Sequence, residues 1–293
     1  MQQHDFSQLG VVIRELREYR GFDQIELSSG ICSQAQLSKI EGGISIPKAT
    51  TLYLLAKKLG IEVNIIFEMT SNEKMDYVFE YKKLVRNLVR QKNYQEVFRL
   101  VKTEESNPVF KKNVLNKQFI LWHKGICFYE LGINKIKAID YLNEALQLTH
   151  FSDHFFTRNE LEIMNSIGVI HCENEDFQKA IEIYQGAISF INRELSINDT
   201  FQIQIRIYYN YAKALTRLDD YVRSSTICMQ ALKICHKGES FYLLGELNYH
   251  IGYNHFLKGE MDEAKINFDR AIAIFKMNNK QNYIDHINTL IGK

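Results

Sequence analysis

Hydrophobic residues recur at helical spacing along almost the whole chain, and residues that break helices are rare. The first such stripe consists of Leu9, Val12, Ile13, Leu16 and Tyr19, and Gly21 is placed to end that helix. The chain of 293 residues contains only 2 prolines and 15 glycines, and 45% of its residues are apolar. This pattern predicts an all-α fold of helices joined by short turns.

Residues 1–70 predict a compact domain of short helices. Asp23 is a candidate N-cap for a second helix. Ser33, with Gln36 three residues later, has the spacing of a capping box for a third helix. A fourth helix is predicted after Pro47, and one more short helix closes the domain.

Residues 71–91 predict a linker helix that merges into the following repeats. Its apolar stripe is formed by Met75, Val78, Val85 and Leu88. A stripe of this kind suits a helix that joins two domains or packs against a second chain.

The C-terminal part contains a repeat with a small residue at three fixed positions. In one copy these residues are Gly168, Ala180 and Ala187, at intervals of twelve and seven. The other copies are Ala212, Ser224 and Ala231; Gly252, Ala264 and Ala271; Gly125, Ala138 and Ala145; and a weaker set of Val85, Val97 and Glu104. The middle positions lie 41, 42, 44 and 40 residues apart. Small residues at these points allow paired helices to approach closely.

An aromatic or long apolar residue opens the second helix of most copies: Tyr94, Phe177, Tyr221 and Met261. The pattern resembles the tetratricopeptide repeat, whose usual period is shorter. Residues 72–293 therefore predict five tetratricopeptide-like helix pairs with a C-terminal capping helix. The resemblance implies a right-handed superhelix with a concave groove.

Residues 13–24 and 33–43 resemble the opening helix and the recognition helix of Xre-type helix-turn-helix domains. The resemblance implies that Gln24, Ser33, Gln34, Gln36 and Lys39 contact double-stranded DNA. Glutamine can pair with adenine, and lysine can reach guanine or a phosphate; the alternative is a solvated polar surface. The resemblance also places Arg17 and Glu41 in a partly buried ion pair, with two separate surface charges as the alternative.

The charge of residues 1–70 limits how strongly one domain can bind DNA. They hold seven Lys or Arg and eight Asp or Glu, hence a net charge of −1, within a chain of formal net charge +1. Few phosphates can then be neutralised by one domain. We therefore expect a homodimer on a palindromic operator.

The order of an Xre-type domain followed by tetratricopeptide-like repeats resembles the peptide-sensing quorum regulators of Gram-positive bacteria. Within that group the chain most resembles the PlcR type, at Ile31-Cys32, Glu173-Asn174 and residues 210–215. That resemblance implies a transcriptional activator with a short signalling peptide in the groove. It assigns the peptide main chain to Asn165 and Asn210, and an acidic peptide group to Arg90 or Lys92. The other implied groove residues are Tyr209, Lys213, Tyr249, His250 and Tyr253. For each of them the alternative is ordinary polar groove lining.

The sequence contains no motif of an enzyme, and we expect no cofactor and no metal site. The 5 cysteines form no C-x-x-C pair, and neither a signal peptide nor a long apolar run occurs. We therefore expect a cytoplasmic protein without a membrane partner. The main alternative function is a protein-interaction scaffold with a degenerate DNA-binding domain. A third hypothesis is an inhibitor of phosphatases or response regulators, but such tetratricopeptide proteins lack an Xre-type segment.

Overall fold

The computed structural model describes residues 7–70, 73–150, 156–191 and 201–292, and every regular element in them is a helix. In chain order the helices are α1 (Ser7–Tyr19), α2 (Gln24–Ser28), α3 (Gln34–Glu41), α4 (Ala49–Leu59), α5 (Val63–Met69), α6 (Glu73–Arg90), α7 (Tyr94–Glu104), α8 (Pro108–Lys111), α9 (Val114–Glu130), α10 (Lys135–Gln147), α11 (Arg158–Glu173), α12 (Phe177–Ile191), α13 (Phe201–Arg217), α14 (Tyr221–Lys237), α15 (Leu244–Leu257), α16 (Met261–Met277) and α17 (Gln281–Leu290). The all-α prediction is confirmed. The chain divides into two compact units, residues 1–84 and 85–293.

Helices α1 to α5 of the first unit surround one apolar core. Its fully or largely buried members are Leu9, Val12, Ile13, Leu27, Leu37, Ile40, Leu52, Leu55, Ala56, Leu59 and Ile66. Helix α1 comes closest to α3 at Gly10, where an added Cβ would lie 1.9 Å from the backbone oxygen of Ile40. Only glycine permits this approach. The predicted stripe is wrong for Tyr19, which is 86% exposed because α1 ends there and no further turn covers it.

The apolar stripe of α6 is not a free surface. Val85 is fully buried within its own chain, Val78 and Leu88 are half-buried, and the side chain of Met75 lies outside the described residues. The apolar side chains that α6 does expose include Phe79 at 65% and Leu84 at 48%. An interface with a second chain therefore cannot use Val85.

The second unit is a stack of helix pairs, in which we call the first helix of each pair A and the second B. The A helices α9, α11, α13 and α15 pack against the B helices α10, α12, α14 and α16, respectively. By the repeat pattern, the C-terminal part of α6 and α7 are the A and B helices of the first pair. Each B helix from α10 onward packs against its own A helix and against the helix that follows. The helices α7, α12, α14 and α16 begin at the predicted residues Tyr94, Phe177, Tyr221 and Met261.

Small residues form the seams of this stack, as the repeat pattern predicts. Ala180, Ala212 and Ala264 are fully buried. At Gly168 an added Cβ would lie 2.5 Å from the ring of Tyr184, so the aromatic ring occupies the space that a side chain would need. None of the described helices is long and apolar enough to cross a bilayer.

Candidate functional site

Helix α3 turns an apolar surface to the core and a polar surface to solvent. Leu37 and Ile40 are buried. The exposed side chains are Gln34, Ala35, Gln36, Ser38 and Lys39. The hydroxyl of Ser33 accepts a hydrogen bond from the backbone N–H of Gln36 at 3.1 Å, so the predicted N-cap is confirmed. The reciprocal bond from the Gln36 side chain, which would complete the expected capping box, does not occur among the described residues.

A chain of hydrogen bonds links the start of α3 to the interior of the domain. The Nε and Nη2 of Arg17 donate to the two carboxylate oxygens of Glu41 at 2.7 and 3.1 Å, and its Nη1 donates to the Phe22 carbonyl at 2.9 Å. Gln24 Nε2 donates to Glu41 at 2.8 Å, and Gln34 Nε2 donates to Gln24 Oε1 at 2.7 Å. The predicted ion pair of Arg17 and Glu41 is confirmed, and it is buried.

This network fixes the orientation of two predicted DNA-contacting side chains. The hydrogen bond to Glu41 raises the pKa of the Arg17 guanidinium, which stays charged. Among the described residues, the carbonyl oxygen of Gln34 and one amide hydrogen of Gln24 remain without a partner. These are the groups that can accept from a base or donate to a phosphate.

Three adjoining pockets follow the A helices of the second unit, and together we call them the groove. The N-terminal pocket, about 240 Å³, is lined by residues that include Val89, Tyr94, Trp122, Asn165, Val169 and Arg206. The central pocket, also about 240 Å³, includes Val169, Cys172, Glu173, Tyr184, Asn210, Lys213 and Arg217. The C-terminal pocket, about 470 Å³, includes Tyr209, Lys213, Arg217, Tyr249, His250 and Tyr253. Shared residues make the three continuous.

The two asparagines predicted to hold a peptide are bonded to each other. Asn210 Nδ2 on α13 donates to Asn165 Oδ1 on α11 at 2.8 Å. Asn165 is buried and Asn210 half-buried. Among the described residues, the bond leaves the amide hydrogens of Asn165 and the carbonyl oxygen of Asn210 unused. One donor and one acceptor therefore meet at the junction of two pockets, which is the pairing that a peptide group requires.

Aromatic rings form one wall of the C-terminal pocket. Tyr249 and Tyr253 stack with their ring centroids 6.0 Å apart and an interplanar angle of 13°. Burial raises the pKa of Tyr249 to about 12 and also raises that of Tyr209. The Tyr249 hydroxyl lies 3.0 Å from Nε2 of His286. These neutral rings provide flat apolar area at low entropic cost.

His250 lies in a buried polar cluster between α13, α14 and α15. Its Nε2 is 2.9 Å from Thr216 Oγ1, which is also 2.8 Å from Ser224 Oγ and 2.7 Å from Asn254 Oδ1. Burial lowers the pKa of His250 to about 4, with the charge of Lys213 adding to the effect. The imidazole is therefore neutral at physiological pH and borders the groove as a hydrogen-bonding group.

The sequence matches two family profiles that together cover most of the chain. Residues 13–66 match a helix-turn-helix profile, and residues 82–289 match the RNPP family C-terminal domain. The chain belongs to the RNPP family. This finding confirms the resemblance to PlcR-type regulators that the sequence motifs indicate. No curated protein sequence matches this RNPP chain.

Solved structures similar to this RNPP chain span nearly its whole length. Bacillus thuringiensis PlcR, in a complex with the peptide PapR7 and DNA, is 25% identical, with a TM-score of 0.79 and coverage of 98% of this chain and 100% of that chain. The Streptococcus dysgalactiae SHP pheromone receptor Rgg2 is 15% identical, with a TM-score of 0.69 and coverage of 95% and 96%. ComR from S. thermophilus, in complex with DNA and its signalling peptide, is 17% identical, with a TM-score of 0.64 and coverage of 96% and 97%.

The structure brings most of the predicted groove residues of this RNPP chain together, but not all. Asn165, Asn210, Lys213 and the predicted tyrosines line the pockets, as does His250. Arg90 and Lys92 are exposed and do not belong to the pocket linings, although Val89 does. Arg90 instead donates to the side chain of Asn87 at 3.3 Å.

Sequence reasoning missed several polar groups of the groove. Arg206 donates to Glu162 at 2.8 Å and to the Tyr242 hydroxyl at 2.9 Å, and Trp122 Nε1 donates to Ser166 at 3.0 Å. All except Tyr242 line the N-terminal pocket. The sequence marks these side chains only by their positions on A helices, near the small residue of each repeat. Many core residues share such positions, so the pattern does not single out groove residues. The described residues hold no cluster of metal-ligating side chains.

Proposed function

We propose that this chain is a DNA-binding transcriptional regulator controlled by a short signalling peptide that binds in the groove. The observation that carries the proposal is the presence, in one RNPP chain, of a helix-turn-helix domain and a groove with a paired donor and acceptor at its centre. PlcR, which resembles the chain over its whole length, is bound to both a peptide and DNA in its crystal structure. By the same resemblance, we propose that the regulator is an activator.

On the DNA side, we assign base contacts to Gln34, Gln36 and Lys39 and phosphate contacts to Gln24 and Ser33. The first three are exposed on α3. Because residues 1–70 carry a net charge of −1, one domain releases few counterions on binding. We therefore propose a homodimer that binds a palindromic operator with both domains.

The DNA assignment is tested by a gel shift with fragments selected from genomic DNA. Gln34→Ala combined with Lys39→Ala removes two base contacts worth about 1–3 kcal/mol each, so specific binding is expected to disappear. The matched control is Lys57→Ala, which removes an exposed lysine from α4 and should leave specificity unchanged. Light scattering of the same samples should give a dimeric mass.

Operator binding by the double variant at wild-type affinity would contradict the assignment of α3. If the wild-type chain bound no specific DNA at all, the protein-interaction scaffold would replace the regulator.

On the peptide side, we assign the main chain of the ligand to Asn165 and Asn210. A peptide N–H can donate to Asn210 Oδ1 while a peptide C=O accepts from Asn165 Nδ2, without any change in the bond that already joins the two residues. Side chains of the ligand would contact Tyr209, Tyr249 and Tyr253, with His250 as a further polar contact. Arg90 and Lys92, together with Lys213, are the proposed basic contacts.

Calorimetry with short peptides encoded near the gene tests this clamp. Asn210→Ala removes the acceptor and also releases Asn165, so affinity is expected to fall by about 10–100-fold, from a loss of about 1–3 kcal/mol. The control is Asn282→Ala on α17, which removes an exposed amide away from the pockets. Equal binding by wild type and Asn210→Ala would contradict the clamp.

A further inference from the structure

Two basic side chains stand on the ridge between the central and the C-terminal pocket. Lys213 and Arg217 lie one turn apart on α13, and they are the two residues that line both pockets. Both are exposed to the groove. A ligand that occupies either pocket lies beside them.

The two cations have acidic neighbours but no ion-pair partner among the described residues. Glu173, Glu175 and Asp219 line the same pockets without forming a salt bridge to Lys213 or Arg217. The Nζ of Lys213 lies over the ring of Tyr209, 5.7 Å from its centroid. Arg206, by contrast, is held by Glu162 in the N-terminal pocket.

Two like charges at this spacing repel each other on a helix surface and oppose its formation. Their field also reaches the walls of the pockets. Burial raises the pKa of the Cys172 thiol, while Lys213 and Arg217 both oppose that rise; Lys213 also disfavours protonation of His250. An anion placed between the two side chains would remove the repulsion and gain charge-assisted hydrogen bonds.

We infer that Lys213 and Arg217 form a subsite for a carboxylate of the bound peptide. The inference rests on the proposed peptide-binding function and adds to it the charge of the ligand and the place where that charge binds. Asn210 precedes Lys213 by three residues on the same helix, so the carboxylate lies one helical turn from the main-chain clamp. This location differs from Arg90 and Lys92, which lie outside the pocket linings.

The carboxylate is either the C-terminus of the peptide or an Asp or Glu side chain, and one selection experiment separates the two. The probes are synthetic libraries of short random-sequence peptides, one with free C-termini and one with C-terminal amides. Each is incubated with the full-length chain, and retained peptides are identified by mass spectrometry. Preference for the free-acid library identifies the C-terminus, whereas equal enrichment of Asp or Glu in both libraries identifies a side chain.

The variants are Lys213→Gln with Arg217→Gln and, as the charge-matched control, Lys233→Gln with Lys237→Gln, which removes two exposed lysines at the same spacing on α14, outside the pocket linings. We expect the first double variant to lose the preference for the acidic group and to bind selected peptides about tenfold more weakly or worse, whereas the control retains both. Amidation of the peptide C-terminus, or replacement of its acidic residue, should weaken binding to the wild type by a similar factor. The same change in the peptide should leave its affinity for the Lys213 and Arg217 variant unaltered.

Two results would overturn the subsite without overturning peptide binding. One is selection of peptides with no acidic preference by the wild type. The other is an unchanged preference in the Lys213 and Arg217 variant, with only a lower melting temperature; the two cations would then merely stabilise the C-terminal end of α13. If the wild type retains no peptide from either library, the proposed function and the subsite both fail.

Discussion

Replacing Arg17 by methionine should unfold the DNA-binding domain locally, because the change leaves a buried carboxylate without its partner. The side chain of Glu41 is 2% exposed and that of Arg17 is 10% exposed. Arg17 supplies two of the hydrogen bonds to this carboxylate, while Gln24 supplies one. Arg17→Met keeps much of the side-chain volume, so the effect reports the lost charge more than a cavity.

Breaking a buried ion pair from one side costs about 3–5 kcal/mol. The single remaining bond from Gln24 does not offset the burial of a full charge. If the partner is also made apolar, in Arg17→Met with Glu41→Leu, no buried charge is left. The double variant should therefore recover most of the lost stability, since buried pairs replaced by apolar residues are often no less stable.

Hydrogen exchange of α1 and α3 amides in the full-length chain measures this local stability. Exchange in Arg17→Met should be about 100- to 4,000-fold faster than in the wild type, which corresponds to that loss of about 3–5 kcal/mol, and the double variant should lie close to the wild type. Arg99→Met, which breaks the exposed pair with Glu96 on α7, should leave exchange unchanged. Wild-type exchange in Arg17→Met, or a double variant no more stable than the single one, would refute the reasoning.

Substitutions of Gly168 and of His250 test the second unit, with Gly186→Ala as the control for the first. In chemical denaturation, Gly168→Ala should lower the free energy of unfolding by about 1–3 kcal/mol, because its Cβ would lie 2.5 Å from the Tyr184 ring. Gly186→Ala should be neutral or stabilising by up to about 1 kcal/mol, because its Cβ would meet only Met164, at 3.9 Å. His250 has a folded pKa of about 4 against 6.5 in the unfolded chain, so the unfolded state takes up the proton first as the pH falls. Stability should therefore decline between these two pH values by about 3 kcal/mol, and urea titrations of His250→Gln should lack this part of the decline. Destabilisation by Gly186→Ala as large as that by Gly168→Ala, or identical pH dependence with and without His250, would contradict the two assignments.

The sequence predicts the helix order well because the repeat depends on single small residues. Gly168, Ala212 and Ala264 mark the seams directly, since any larger side chain would hold the helices apart. The short helix α8 was not predicted. It contains one buried residue, Phe110, and four residues are too few to form a recognisable period.

The candidate sites are less predictable, because they depend on which side chains meet across different helices. Asn165 precedes its small residue by three positions and Asn210 by two, so no repeat register indicates that the two bond to each other. In the same way, nothing local indicates that Gln24 lies between Gln34 and Glu41. Arg217 was missed because its role depends on the shape of two pockets, which a linear pattern does not encode.

The buried polar cluster around His250 limits where helix pairs of this repeat array can be inserted, deleted or exchanged. Thr216, Ser224 and Asn254 satisfy one another across three helices, and each is nearly or fully buried. An insertion, a deletion or an exchange with another repeat at this boundary would leave hydroxyl and amide groups dehydrated and unbonded. These hydrogen bonds thus couple the fourth and fifth helix pairs into one structural block. Chimeras with other family members should be joined elsewhere along the array, at seams that contain only small apolar residues.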